Sequence, residues 1–197
     1  MSQMPGSALP FQGRVALCVC GIKGGVGTTT VASLIAGTLG LAGPPVLVSD
    51  HSGGSISERV VDSSVSDRFW IHDAGSVAFP GSPIFDWAVR WKMAMVLVAS
   101  SEDEEAVDEV LSGFQPAEGV PSARPAPTAL VVTMIHNRTK PQHLLELVDQ
   151  RYPWVRPLVM SYDKELALRG KIVRKRVRAE NRATIDTLVA GVATAAM

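Results

Sequence analysis

Gly24, Gly25 and Gly27 crowd into a short stretch that ends in Thr28, Thr29 and Thr30, with Lys23 immediately before them. Glycines lack a Cβ, so a backbone rich in them can turn tightly and bring its N–H groups against an anion. A threonine hydroxyl at the position of Thr29 is the type of group that ligates Mg²⁺ beside a bound phosphate. The chemistry open to Lys23, Gly24, Gly25, Val26, Gly27, Thr28, Thr29 and Thr30 is therefore the cradling of a phosphate chain. One feature departs from the usual arrangement, G-x-x-x-x-G-K-[ST], which sets a lysine directly after the last glycine. Thr28 stands there instead. A lysine would bring a full charge to the β- and γ-phosphates, and a hydroxyl brings only a dipole; binding should weaken, and phosphoryl transfer should weaken more.

Such a loop works only between a strand and a helix, where the helix N-terminus adds its own N–H groups and dipole. The apolar run 14–20 lies directly before it, and the following stretch places Val31, Leu34, Ile35 and Leu39 on one helical face. Gly40, Gly43 and Pro44-Pro45 are stop signals for that helix. Further apolar runs at 46–49, 69–72, 93–99, 129–135 and 154–160 are short and mostly continuous rather than alternating, as in strands buried on both faces of a parallel sheet. The rhythm predicts an α/β fold with a mostly parallel β-sheet flanked by helices. At 197 residues and 46% hydrophobic composition, the chain fits one domain, expected over 13–197. Residues 1–12, with Pro5, Gly6 and Pro10, read as a disordered lead-in without the basic and apolar regions of a signal peptide. That pattern, and the lack of an eighteen-residue apolar run, suggest a cytoplasmic protein.

Other clusters admit blander explanations. Cys18 and Cys20 share one strand face and are expected as small buried hydrophobes. The acidic run 102–105 resembles a metal cluster, yet Ser101 followed by Glu104 fits a capping box, with acids favoured in a first helical turn. The four prolines between Phe114 and Pro127 predict a surface loop. Lysines and arginines balance the aspartates and glutamates at 19 each, so any anionic partner must use a local patch. The candidates are Lys171, Arg174, Lys175, Arg176, Arg178 and Arg182, which precede a helical face of Ile185, Leu188, Val189 and Val192. Nucleic acid, an anionic membrane, or simply a solvated surface beside a packed helix would each suit that pattern.

The string Lys-Gly-Gly-Val-Gly with Thr-Thr after it resembles the deviant Walker A loop of the ParA/MinD ATPases. Within that family it is similar to the TadZ/CpaE-like variant that lacks the second loop lysine. The resemblance implies a single-domain P-loop NTPase fold, ATP and Mg²⁺ as cofactors, and a homodimer with the nucleotide sandwiched, in which Lys23 reaches the partner's phosphates. It further implies that Asp50, after the second strand, lies near Mg²⁺ and the attacking water, with Ser52 where a second carboxylate is usual. Asp73 closes the Walker B strand, giving Thr29, Asp50 and Asp73 as metal-side residues, and Asn137 in the Asn-Arg stretch would contact the adenine. Lys23 and Asp50 are the implied catalytic pair. His51 and His72 are potential bases that read more simply as structural residues. Two functions stay open: an ATP-binding positioning or partition protein with slow or absent hydrolysis, serving a chromosome, plasmid, pilus or secretion machine, and a nucleotide-free pseudo-ATPase acting as a scaffold.

Overall fold

The computed structural model describes residues 15–41, 46–50, 69–76, 82–90, 93–114, 129–134, 140–167 and 171–195. Six strands form one sheet: β1 (Val15–Gly21), β2 (Val46–Asp50), β3 (Phe69–Asp73), β4 (Ala94–Ser100), β5 (Ala129–Thr133) and β6 (Pro157–Met160). Their order is β2-β3-β1-β4-β5-β6, and every neighbouring pair is parallel. The helices among the described residues are α1 (Thr28–Leu41), α2 (Pro83–Arg90), α3 (Glu104–Ser112), α4 (Gln142–Arg151), the single turn α5 (Lys164–Ala167) and α6 (Ala179–Ala195).

The continuous apolar character of β1 follows from its place at the centre. Ala16, Cys18 and Cys20 face one layer, packed with Phe85 of α2, Val107 and Leu111 of α3, and Leu144 and Val148 of α4. Leu17 and Val19 face the other, packed with Val31 and Ile35 of α1 and with Ile185, Leu188 and Val192 of α6. A period of two on a strand and of three to four on a helix thus produces three layers with two cores. Each fully buried Leu or Ile contributes about 1.5–3 kcal/mol through area removed from water.

The sheet bears out the parallel α/β expectation, and α1 starts at the threonines with all four predicted apolar positions buried. Two boundaries differ. The sixth strand starts at Pro157, because Tyr152 and Val155 are joined in a turn that leaves Trp154 exposed. Ser101 is not the cap of α3: Asp103 occupies that position, and its carboxylate is engaged elsewhere. The lead-in 1–12 and the proline-rich stretch 115–127 lie outside the described residues.

Strand order fixes where a ligand would sit. The chain leaves β1 toward β2 and β3, then crosses back to β4 on the other side of β1. Loops after β1 and β4 therefore diverge, opening the crevice at strand C-termini where α/β sheets bind ligands.

Candidate phosphate-binding site

The glycine-rich loop occupies that crevice. Gly21 N–H donates to Gly75 O at 2.7 Å and Ile22 N–H to Val98 O at 2.9 Å, tying the loop's first residues to both neighbours of β1. Lys23, Gly24 and Gly25 are exposed, while Val26 is buried and roots the far side. Gly25 and Gly27 have φ of 82° and 93°, left-handed values that explain why glycine stands at both. Val31 N–H then donates to Gly27 O at 3.0 Å, so the loop feeds directly into the first turn of α1.

Thr28 is buried and turned inward: a Cβ built on Gly21 would run into its Oγ1 and into the Val26 side chain. The residue that replaces the usual lysine thus fills the floor of the loop. Thr29 and Thr30 are half-buried, and the Thr29 carbonyl accepts the Ser33 hydroxyl at 2.6 Å. Asp73 is fully buried at the end of β3, with Oδ1 accepting Gly75 N–H at 3.1 Å. Asp50 is its register partner on β2, which places the two acidic positions level at the sheet's C-terminal edge. Among the described residues no three His, Cys, Asp or Glu side chains form a metal-sized cluster. Thr29 and Asp73 are the described groups on which Mg²⁺ could rest; the Asp50 side chain, and with it Ser52, His51 and Asn137, lies outside the described residues.

Lys23 makes a contact that sequence reasoning did not anticipate. Its Nζ pairs with Asp103 Oδ1, so a side chain implied to reach a partner's phosphates is held within its own chain. Asp103 is almost wholly buried, and its Oδ2 accepts Ser100 N–H at 3.2 Å. The pair spans the crevice between β1 and β4.

Beside the loop lies a cavity of about 190 Å³, bounded by Gly25, Val26, Gly27 and Thr30 on one side and by Thr133, Met134, Met160, Ser161, Tyr162, Asp163, Leu166 and Ala167 on the other. The second wall was not read from sequence, since nothing but Asp163 after an apolar strand marks it. Asp163 shapes that wall: its carboxylate accepts Glu165 N–H at 3.0 Å and Arg178 N–H at 2.7 Å. Buried Asn181 completes it, taking Ser161 N–H at 2.8 Å and donating to Ser161 O at 2.9 Å.

The remaining candidates sort cleanly. His72 is fully buried between Trp70 and Trp87, with ring centroids 4.1 and 4.6 Å away, which makes it a packing residue. Cys18 and Cys20 are buried free thiols; the neighbouring Cys18 and burial push the Cys20 thiol well above its ordinary value, so it stays protonated. The basic stretch is not one uniform patch. Arg174 pairs with Asp186 and lies 3.4 Å from Thr38 Oγ1, Arg178 pairs with Glu180 at 3.5 Å, and Arg182 donates to the Val177 carbonyl. Lys171, Lys175 and Arg176 are exposed. Among the described residues no helix is long and apolar enough to cross a membrane.

The sequence matches no protein-family model and no curated protein. Its fold does match solved structures. A ParA family ATPase from Chlorobium tepidum TLS superposes with a TM-score of 0.59 at 12% identity, over 90% of this chain and 98% of that one. A nucleotide-binding protein from Archaeoglobus fulgidus in complex with ADP gives 0.55 at 15% identity, over 78% and 84%. A candidate plasmid partition protein from Borrelia burgdorferi bound to AMPPNP gives 0.55 at 15%, over 90% and 99%. The chain has the ParA/MinD-type P-loop fold, a single α/β domain with a parallel sheet flanked by helices.

Proposed function

We propose that this chain is an ATP-binding, dimerising positioning or partition protein of ParA/MinD type, with weak or absent hydrolysis. One observation carries the reading: a loop with two left-handed glycines, ending in the first turn of a 14-residue helix, opens onto a cavity of about 190 Å³ at the sheet's switch point. Phosphates fit the exposed loop, where Gly24 and Gly25 present backbone without side chains, and the cavity, smaller than the roughly 300 Å³ of a whole-ligand pocket, takes one further moiety of the nucleotide. Mg²⁺, when bound beside Thr29 and Asp73, would supply charge neutralisation at the phosphates. Low turnover follows from Thr28, whose hydroxyl points into the loop floor and brings no cation to the γ-phosphate.

The test is titration with ATP and ADP, with and without Mg²⁺, reading molecular mass in the same samples. Mg²⁺-dependent binding, and a dimer that Lys23→Ala weakens at least about tenfold (about 1.4 kcal/mol), is the expected outcome. A monomer that ignores millimolar ATP would overturn it in favour of the scaffold reading. That second reading has its own observation: Lys23, the loop's one side-chain cation, is already paired to Asp103.

A further inference from the structure

We propose that Thr133, at the C-terminal end of β5, is a positioning residue that sets the phosphate affinity of the glycine-rich loop; the proposal rests on the nucleotide-binding reading above. Its hydroxyl donates to Val26 O at 2.7 Å, with Ala99 O 3.1 Å away as a second acceptor. The Thr133 methyl lies 3.7 Å from where a Gly27 Cβ would stand, so the side chain meets the loop through both of its branches. Its own carbonyl accepts Ser101 N–H at 3.0 Å, fastening it to the end of β4, the strand between β5 and β1.

The choice of acceptor matters. Val26 lies between Gly25 and Gly27, the two residues of this loop at left-handed φ, where the chain has the most freedom to turn a peptide plane over. In a planar trans peptide the carbonyl and the following N–H point in opposite directions. Anchoring the Val26 carbonyl to Thr133 therefore also fixes the direction of the Gly27 N–H. With no lysine at position 28, phosphate recognition depends on such N–H groups, and their prior alignment lowers the ordering that binding would otherwise demand.

Thr133→Val removes the hydroxyl and keeps the shape; Thr133→Ser keeps the hydroxyl. Two measurements apply to each: amide hydrogen exchange across residues 24–30 without nucleotide, and the affinity for ADP relative to adenosine, which lacks phosphates. The expected result for Thr133→Val is faster loop exchange and an ADP affinity lower by about tenfold, roughly the worth of one hydrogen bond, with adenosine binding within about twofold. Thr133→Ser should match the unaltered protein in both. An unchanged exchange rate and ADP-to-adenosine ratio in Thr133→Val would overturn the proposal, as would a Thr133→Ser protein that loses the ADP preference equally. If the unaltered protein binds no ADP, the nucleotide reading fails by itself, and the exchange comparison still decides whether Thr133 positions the loop.

Discussion

Lys23 and Asp103 form an unequal pair: the lysine side chain keeps 57% of its surface exposed and the carboxylate 1%. Solvent screening at the lysine end limits what the contact adds to stability to about 1 kcal/mol or less. Its consequence is accessibility instead, because a lysine held against its own β4–α3 turn must leave Asp103 before it can meet another anion. Asp103→Asn keeps an oxygen for the Ser100 N–H and removes the charge that holds Lys23. The expected outcome is little change in the denaturation midpoint and several-fold faster labelling of Lys23 by an amine-directed reagent, read by mass spectrometry; an unchanged labelling rate would show that the pair does not shield the lysine. Gly21 illustrates a different constraint. It is buried without a left-handed φ, and its lack of a Cβ is what lets Thr28 fill the loop floor. Gly21→Ala should destabilise the protein by about 1–3 kcal/mol, as overpacking does, measured by urea unfolding. Spacing in the sequence marked this loop as a phosphate cradle, but the inward turn of Thr28 depends on a close approach that no spacing rule contains.

Helices α3 and α4 lie side by side on one face of the sheet and are stapled at their surface. Asp108 accepts the Tyr152 hydroxyl at 2.6 Å and the Arg151 guanidinium at 2.7 and 2.8 Å. The Tyr152 hydroxyl, and Arg151 after it, hold the Asp108 carboxyl below the usual carboxylate range. Burial, with the Asp108 hydrogen bond second, pushes Tyr152 up to about 12. The signs follow: the depressed carboxyl stabilises above its ordinary value of 3.8 and loses that contribution as pH falls through its folded value. The raised phenol stabilises below its ordinary 10.0 and loses the contribution as pH climbs toward 12. Tyr152→Phe should therefore lower stability by about 1 kcal/mol at neutral pH and by less well below 3.8, where Asp108 is protonated in both proteins; an equal loss at both pH values would show that the carboxylate plays no part. The existence of α3 was legible from the acids of its first turn, whereas its start was not. Ser101 and Glu104 satisfy the local grammar of a capping box, but Asp103 is recruited by Lys23 from the β1 loop. Local signals cannot report a partner supplied by another strand, and the second cavity wall at 161–167 escaped for the same reason: its shape comes from Asn181 and the Arg178 N–H, which belong to the chain's last segment.

Across the whole molecule the alternation of short continuous apolar runs with helical spacing carried the fold, because a strand covered on both faces has no polar side to show. The charge pattern carried less. A formal net charge of zero leaves any attraction for a polyanion to local placement, and the six basic residues between 171 and 182 divide by what they touch, Arg178 pairing with Glu180. Arg174 bridges α6 to α1 through Asp186 and Thr38, and Arg182 closes the turn before α6 through backbone carbonyls. These two hold the fold. Lys171, Lys175 and Arg176 stand exposed around the short turn Arg174–Arg176. A membrane-lying helix is a poor match for this region, because the apolar face of α6, Ile185, Leu188 and Val192, is spent on the core against α1. Phosphates of a nucleic-acid backbone need only the exposed charges. Replacing Lys171, Lys175 and Arg176 together by glutamine should leave the unfolding free energy within about 0.5 kcal/mol, as for other surface changes. Binding to random-sequence duplex DNA should fall, with the dependence of log K on log salt shallower by about one unit for each phosphate no longer neutralised. Arg174→Gln should do the reverse, destabilising the fold by about 1 kcal/mol with a smaller effect on DNA. Equal DNA binding by the triple variant and the unaltered protein, across a salt series, would remove this surface as a nucleic-acid contact and leave the exposed cations as a solvated face.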